Sequence, residues 1–353
     1  MKLQKLRQKI DALDQSIIDL LNLRAAITID IGKIKISSGK SVYSPERENQ
    51  VLKKLAHFTK GPLSRQALEA IYREIMSAGL ALEKKLVIAY MGPQASFSNL
   101  AALKKFGAQV KYLACNNISD VFLEVERGSA DYGVVPVENS IEGAVSHTLD
   151  VFADSNLKIC SQVILDVSHN LLANCAKNKI RRVYSNPQIF GQCRIWLQEN
   201  LPCAELVDVS SSTYAAEIAT KEKNSAAIAS LLASKVYGLR VFASHIEDSP
   251  HNITRFFVIG KHDPARTGED KTSVLFSIKD RVGALYDMLI PFKEYGINLT
   301  KIESRPSKKK AWEYYFFIDI CGHQLDKKVK KALSELDKKC TFMKILGSYP
   351  VGE

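Results

Sequence analysis

The sequence predicts a multidomain chain with an all-α N-terminal part, a central α/β part and a C-terminal α+β part. Three observations carry this. Apolar residues recur at spacings of mostly three and four from Leu3 to Ile34, with no Pro or Gly before Gly32, as in one long amphipathic helix. From Leu86 onward, short apolar runs bounded by Gly, Pro and polar clusters alternate with helical patterns. Beyond the polar stretch Asp263 to Asp270, the order strand, helix, strand, strand, helix, strand reads as a ferredoxin-like unit. The expected divisions are 1–85, 86–262 and 271–353, and 353 residues suit two or three domains.

Taken in order, the first helix should run some 30 residues, roughly 45 Å. Ser37-Ser38-Gly39-Lys40-Ser41 breaks it, Pro45 opens a second helix to about Thr59, and Gly61-Pro62 precedes a third from about Ser64 to Lys84. So long a helix on a small domain needs a partner for its apolar stripe, which predicts a homodimer or larger homo-oligomer. Leu86 to Met91 reads as a strand, followed by the turn Gly92 to Ser98 and a helical segment Asn99 to Phe106. Val110 to Ala114 and Ile118 to Arg127 continue the rhythm, which predicts a largely parallel, covered sheet. Gly133 to Val137 is a short apolar run that would deliver Glu138, Asn139 and Ser140 at the edge where open α/β sheets bind ligands. The same three residues would serve equally as a cap. In the C-terminal part the expected elements are Ser273 to Ile278, Gly283 to Tyr295, Asn298 to Glu303, Trp312 to Ile320, Leu325 to Asp337 and Thr341 to Tyr349.

Composition excludes several classes of function. The apolar and charged fractions, 46% and 25%, are those of ordinary globular chains, and no run of about 18 apolar residues marks a membrane span. The opening residues Met1 to Lys5 do not read as a signal peptide, and seven scattered cysteines without a Cys-x-x-Cys pair point to reduced thiols in a cytoplasm. The net charge of +11 owes much to Lys308-Lys309-Lys310 and to the lysines between Lys327 and Lys339, which read as solvated faces. No nucleic-acid or membrane partner is expected, whereas small anions would need only a few of these charges. The absence of a Gly-x-Gly-x-x-Gly or P-loop pattern, and of metal-type spacing, predicts no cofactor and no metal. Cys193, His147, His169, His245 and His251 are assigned no catalytic role.

Within the first 85 residues, the ordered set Arg7, Arg24, Gly32-Lys33-Ile34-Lys35, Val42 to Glu48 and Ile75 to Glu83 resembles the all-helical chorismate mutases. The resemblance implies that Arg7, Arg24 and Arg47 hold the two substrate carboxylates and that Glu48 meets the substrate hydroxyl. Lys35 and Glu83 would donate to the ether oxygen, Glu83 only when protonated, since some relatives carry glutamine there. Arg7 lies about 25 Å up the helix from Arg24, so one small ligand meets both only if Arg7 comes from a second copy. Across roughly 86–260, Val183 to Gln188, Gln192-Cys193-Arg194, Ser210 to Thr213, Ala226 to Ala229 and Asn252 to Phe256 resemble prephenate dehydratase, a two-lobed α/β fold. That resemblance makes Thr254 the catalytic residue and implies that Asn139, Ser185 and Gln192 line the substrate site. Arg255 and Phe256 would support it, with Glu138 and Ser140 flanking Asn139. Finally, Gly283-Ala284-Leu285, Asn298 and Glu303-Ser304-Arg305-Pro306 resemble the phenylalanine-binding positions of the ACT regulatory domain fused to such dehydratases.

Together these imply a bifunctional chorismate mutase/prephenate dehydratase with phenylalanine as allosteric effector. Two alternatives stay open at this level: a dehydratase whose mutase domain is inactive and only dimerises, and a non-catalytic aromatic-ligand sensor. Supplying chorismate and following phenylpyruvate separates them.

Overall fold

A computed structural model describes residues 2–58, 61–279, 281–307 and 313–351. The expected helix end at Thr59, the strand start at Trp312 and the basic run Lys308 to Lys310 lie outside the described residues. The chain divides into two compact units, one comprising Met1–Val87 with Lys105–Lys111, the other Ile88–Lys104 with Tyr112–Glu353.

In the first unit α1 (Lys2–Ser37), α2 (Pro45–Phe58) and α3 (Arg65–Glu83) form in the expected order. Ser64 caps α3 by accepting from the Ala67 N–H. Two glycines let α1 and α3 approach. A Cβ on Gly32 would sit 3.0 Å from the Glu83 Cα, and one on Gly79 would sit 3.3 Å from Thr28 Cγ2. The apolar stripe of α1 is exposed along its length, with Leu3, Leu6, Ile10, Leu13 and Ile17 each more than half accessible.

The second unit begins with β1 (Val87–Met91), α4 (Phe97–Phe106), β2 (Lys111–Cys115), α5 (Ile118–Arg127), β3 (Tyr132–Asn139), β4 (Gly143–Ala144), α6 (Ser146–Asp154) and β5 (Lys158–Asp166). A second lobe follows with β6 (Asn170–Ala173), β7 (Arg182–Ser185), α7 (Pro187–Gln192), α8 (Arg194–Asn200), β8 (Glu205–Asp208), α9 (Ser212–Lys221), β9 (Ser225–Ala229), α10 (Leu231–Tyr237) and β10 (Arg240–Ala243). The chain then returns through β11 (Ile253–Gly260). It ends with β12 (Asp270–Ser277), α11 (Ala284–Glu294), β13 (Leu299–Pro306), β14 (Tyr314–Cys321), α12 (Lys327–Lys339) and β15 (Phe342–Pro350).

Three sheets result among the described residues, ordered β2-β1-β3-β11-β5 with β4 beside β3, then β10-β6-β9-β7-β8, then β13-β14-β12-β15. The first corrects the expectation of a largely parallel sheet. β1 and β3 are parallel, but β11 is antiparallel to both of its neighbours, β3 and β5. The cause is the return from the second lobe, which enters the first sheet beside the end of β3. β11 therefore starts where β3 stops, and Thr254 pairs with Asn139. β3 itself runs through Asn139 rather than stopping at Val137, and β13 runs through Pro306, so Ser304 to Pro306 are strand residues. In the second lobe every residue of the Ser225–Ala229 strand is buried, and its small side chains let α9 lie close. The third sheet buries Phe276, Ile318 and Ile320 against Met288, Phe292 and Leu333 of its helices. Its other face meets the first sheet, where a Cβ on Gly347 would lie 2.4 Å from the Ile159 carbonyl oxygen. No helix among the described residues is long and apolar enough to cross a membrane.

Candidate active sites

In the first unit, α1, α2 and α3 enclose a cavity of about 480 Å³ that brings Arg24, Lys35, Arg47, Glu48 and Glu83 together. Lys35 Nζ donates to the Val42 carbonyl at 2.7 Å and to Glu83 Oε2 at 2.9 Å. Lys35 and Glu83 thus meet directly in the cavity wall. Glu48 is held through Oε2, which accepts from the Tyr43 hydroxyl at 3.1 Å and lies 2.8 Å from Lys105 Nζ. Ser44 and Gly79 also face the cavity, whereas Arg7, exposed near the start of α1, does not line it.

In the second unit, one hydrogen-bonded chain organises the cleft strands. Asn139 Oδ1 accepts from the Ile141 and Glu142 N–H groups at 2.9 and 3.0 Å, which fixes the amide's orientation. Asn139 Nδ2 therefore points to Thr254 Oγ1 and Asn252 Oδ1, each at 2.8 Å. Asn252 Nδ2 donates to Gln192 Oε1 at 2.9 Å, and His169 Nε2 reaches the same oxygen at 2.8 Å. Gln192 Nε2 donates to Glu142 Oε1 at 3.1 Å. Because a carbonyl oxygen only accepts, His169 carries its proton on Nε2, and its buried Nδ1 has no hydrogen-bond partner among the described residues. Burial lowers the His169 pKa, with the Gln192 bond and Glu247 opposing, so the ring is neutral. The chain's polarity leaves Thr254 Oγ1 as an acceptor from Asn139, with its own proton available for a ligand.

Other expected residues are spent on the framework. Ser140 Oγ donates to the His251 carbonyl and accepts from the Ile253 N–H, clamping β3 to β11. Fully buried Ser185 donates to the Ile228 carbonyl. Phe256 is core. Arg255, expected beside the substrate, points the other way because strand neighbours alternate faces. Its guanidinium donates to Asp319 Oδ2 at 2.6 Å, Gln162 Oε1 at 2.9 Å and the Tyr349 hydroxyl at 2.9 Å. Glu138 likewise lies 3.0 Å from Lys301 Nζ and 3.6 Å from Arg255. Burial, with Glu247 and Asp248 adding, pushes the Cys193 thiol up, so it stays protonated and is a poor nucleophile.

The third sheet holds a cavity of about 280 Å³ lined by Gly283, Ala284 and Leu285 with Arg281, Tyr314 and Phe316. Gly283 takes φ 78° at the start of α11, a conformation that favours glycine, and as the N-cap residue it offers no side chain to cap the helix. The pairing of Ser304 with Phe316 and of Pro306 with Tyr314 puts these two on the cavity's side of β13. Glu303 and Arg305 alternate to the opposite face, and Arg305 Nε lies 3.6 Å from Asp150 of α6. Asn298 lies about 20 Å along the strand from Ser304. One chain therefore gathers only part of the expected effector set.

Comparison with known proteins follows the same divisions. Residues 6–84 match the chorismate mutase type II family model, residues 88–264 that of prephenate dehydratase, and residues 272–338 that of the ACT domain. The bifunctional chorismate mutase/prephenate dehydratase of Aquifex aeolicus is 48% identical over 99% of this chain and 98% of its own length. The chain belongs to the bifunctional chorismate mutase/prephenate dehydratase family. The family member from Pseudomonas aeruginosa is 43% identical over the same shares, 99% and 98%. A prephenate dehydratase from Arthrobacter aurescens, solved in complex with L-Phe, superposes with a TM-score of 0.71 at 34% identity. That match covers 75% of this chain and 90% of that one.

Sequence reasoning missed four groups: His169 and Asn252, which hold Gln192 and Asn139 in the dehydratase part, and Lys301 and Asp319, which tie the ACT sheet to Glu138 and Arg255. Asn252 carried a signal, since it sits two residues before Thr254 and so shares its face. The others meet their partners across stretches of 23 to 163 residues, which no local spacing announces.

Proposed function

We propose that this chain rearranges chorismate to prephenate in its helical unit and converts prephenate to phenylpyruvate in the two-lobed cleft, under feedback control by phenylalanine. The divisions are 1–85 for the mutase, 86–262 for the dehydratase and 271–353 for the ACT part. The observation that carries the reading is the fixed polarity at Thr254, whose hydroxyl accepts from Asn139 and so presents its proton.

The rearrangement breaks a C–O bond while a C–C bond forms, and it needs no nucleophile or proton transfer. The site must hold a compact dianion and stabilise charge growing on the ether oxygen. Arg24 and Arg47 suit the carboxylates, Lys35 suits the oxygen, and Glu48 takes the substrate hydroxyl. Arg7 completes the site from a second copy. The exposed stripe of α1 supports that homodimer, because Leu3, Leu6, Ile10 and Leu13 would otherwise stay in water.

In the cleft, CO₂ departs, its bonding electrons enter the ring as it becomes aromatic, and the hydroxyl leaves with the C–O electron pair as hydroxide, which takes up a proton from solvent. Thr254 donates to that leaving oxygen. Threonine is a poor acid, so the aligned amides of Asn139, Asn252 and Gln192 supply much of the stabilisation. Phenylalanine's carboxylate sits at the start of α11 beside Gly283. Its effect reaches Thr254 through Asp319 and Lys301, which grip the residues next to Thr254 and Asn139. All seven cysteines are unpaired, which supports a cytoplasmic location.

The test is Thr254→Ala. Phenylpyruvate formation should be lost while chorismate is still turned into prephenate. Dehydration at close to the wild-type rate would refute the assignment.

A further inference from the structure

Residues Lys105–Lys111 lie within the stretch matched by the dehydratase family model, yet they belong to the helical unit. They are tied to it at several points. Ala108 N–H donates to Glu74 Oε2 at 3.2 Å, Gln109 N–H to Ser77 Oγ at 3.1 Å, and Lys111 N–H to the Leu86 carbonyl at 3.0 Å. The Phe106 ring packs 4.9 Å from that of Tyr43. At Gly107 a Cβ would lie 2.5 Å from that of Ser77, so only glycine lets the segment lie this close.

The seating brings Lys105, in the last turn of α4, against Glu48, which lines the mutase cavity. Its Nζ is 2.8 Å from Glu48 Oε2, and the pair is largely shielded, the two side chains being 18% and 13% exposed. Tyr43 donates to that same oxygen. We propose that Lys105 is a positioning residue of the mutase reaction, supplied from within the dehydratase stretch of the chain. With Tyr43 it holds Glu48 by Oε2 and turns Oε1 toward the substrate hydroxyl.

Charge gives a second reason for the pairing. The substrate is a dianion. Arg24, Lys35 and Arg47 face it together with two carboxylates, Glu48 and Glu83, a surplus of one positive charge. Lys105 raises the surplus to two. Without it, the Glu48 carboxylate would repel the ligand it is meant to orient.

The inference rests on Glu48 serving the mutase reaction, and the experiment separates the two. Full-length Lys105→Met, Lys105→Arg, Glu48→Gln and the double variant Lys105→Met/Glu48→Gln are assayed for both activities. Lys105→Met should lower mutase kcat/KM about 10-fold or more, the scale of a hydrogen bond to a charged group. Lys105→Arg should recover most of that loss. In the Glu48→Gln background Lys105→Met should cost little more, and turnover of prephenate by all four chains should match the wild type. A Glu48→Gln chain with full mutase activity would overturn the reading of Glu48. An impaired Glu48→Gln chain with a fully active Lys105→Met chain would overturn the role of Lys105. So would equal losses in Lys105→Met and Lys105→Arg that add in full to that of Glu48→Gln, because they would mark a purely structural contact.

Discussion

Removing Asp319 tests the link between the ACT sheet and the catalytic strand. The carboxylate is 5% exposed and the Arg255 side chain 11%, at 2.6 Å. Asp319 also accepts from Ser273 Oγ at 2.5 Å. Taking away one member of a buried pair leaves the other charge uncompensated, at a cost of about 3–5 kcal/mol. Glu138 stays 3.6 Å from the guanidinium and is 39% exposed, so it offsets part of this. The low end, about 3 kcal/mol, is therefore expected for Asp319→Ala. At about 2–4 °C per kcal/mol for a unit of this size, the second unit should melt about 6–12 °C lower. Asp319→Asn keeps an acceptor for Ser273 or Arg255 and should lie between that and the wild type. The assay is a melting curve of the full chain with separate turnover of chorismate and of prephenate, each with and without phenylalanine. Dehydratase activity and its response to phenylalanine should both fall, while mutase activity stays within twofold. A variant with wild-type melting, dehydration and inhibition would refute both the energetics and the route.

Gly32→Ala should lower mutase kcat/KM about tenfold while leaving dehydration alone, because the new Cβ, 3.0 Å from Glu83, pushes that residue off Lys35. The melting point should barely move, since alanine regains about 1 kcal/mol of helix propensity. His169→Leu should cut dehydratase activity about tenfold by releasing Gln192, and His169→Gln, which keeps a donor, should restore part of it. His169 also gives a pH signature. Its folded pKa is lowered, so below the ordinary imidazole value of about 6.5 the unfolded chain takes a proton that the folded chain refuses. Stability should fall as the pH drops below that value, by at most about 1.4 kcal/mol per pH unit, and melting curves of His169→Gln should lack this slope.

What could be read in advance divides by the range of the interaction. The helical unit was legible because its stripe, breaks and charges repeat within a few turns. Arg24, Lys35, Arg47, Glu48 and Glu83 do meet in one cavity. Asn139, Gln192 and Thr254 also converge, in the order their motifs implied. What could not be read shares one cause. Ser185 was expected to line the substrate site and Ser140 either to line it or to cap, and both donate to backbone carbonyls, while Arg255 turns to Asp319. Sequence gives a residue's chemistry but not whether a backbone group already uses it. The direction of β11 was hidden for a related reason. A strand pattern has no arrow, and only the return from the second lobe sets the N-terminal end of β11 against the C-terminal end of β3. That antiparallel return does the decisive work in the cleft. It places Thr254 beside Asn139 on one face and Arg255 beside Glu138 on the other, where Asp319 and Lys301 reach them. Under the proposed function, this pair of adjacent residues gives catalysis and regulation opposite sides of the same strand.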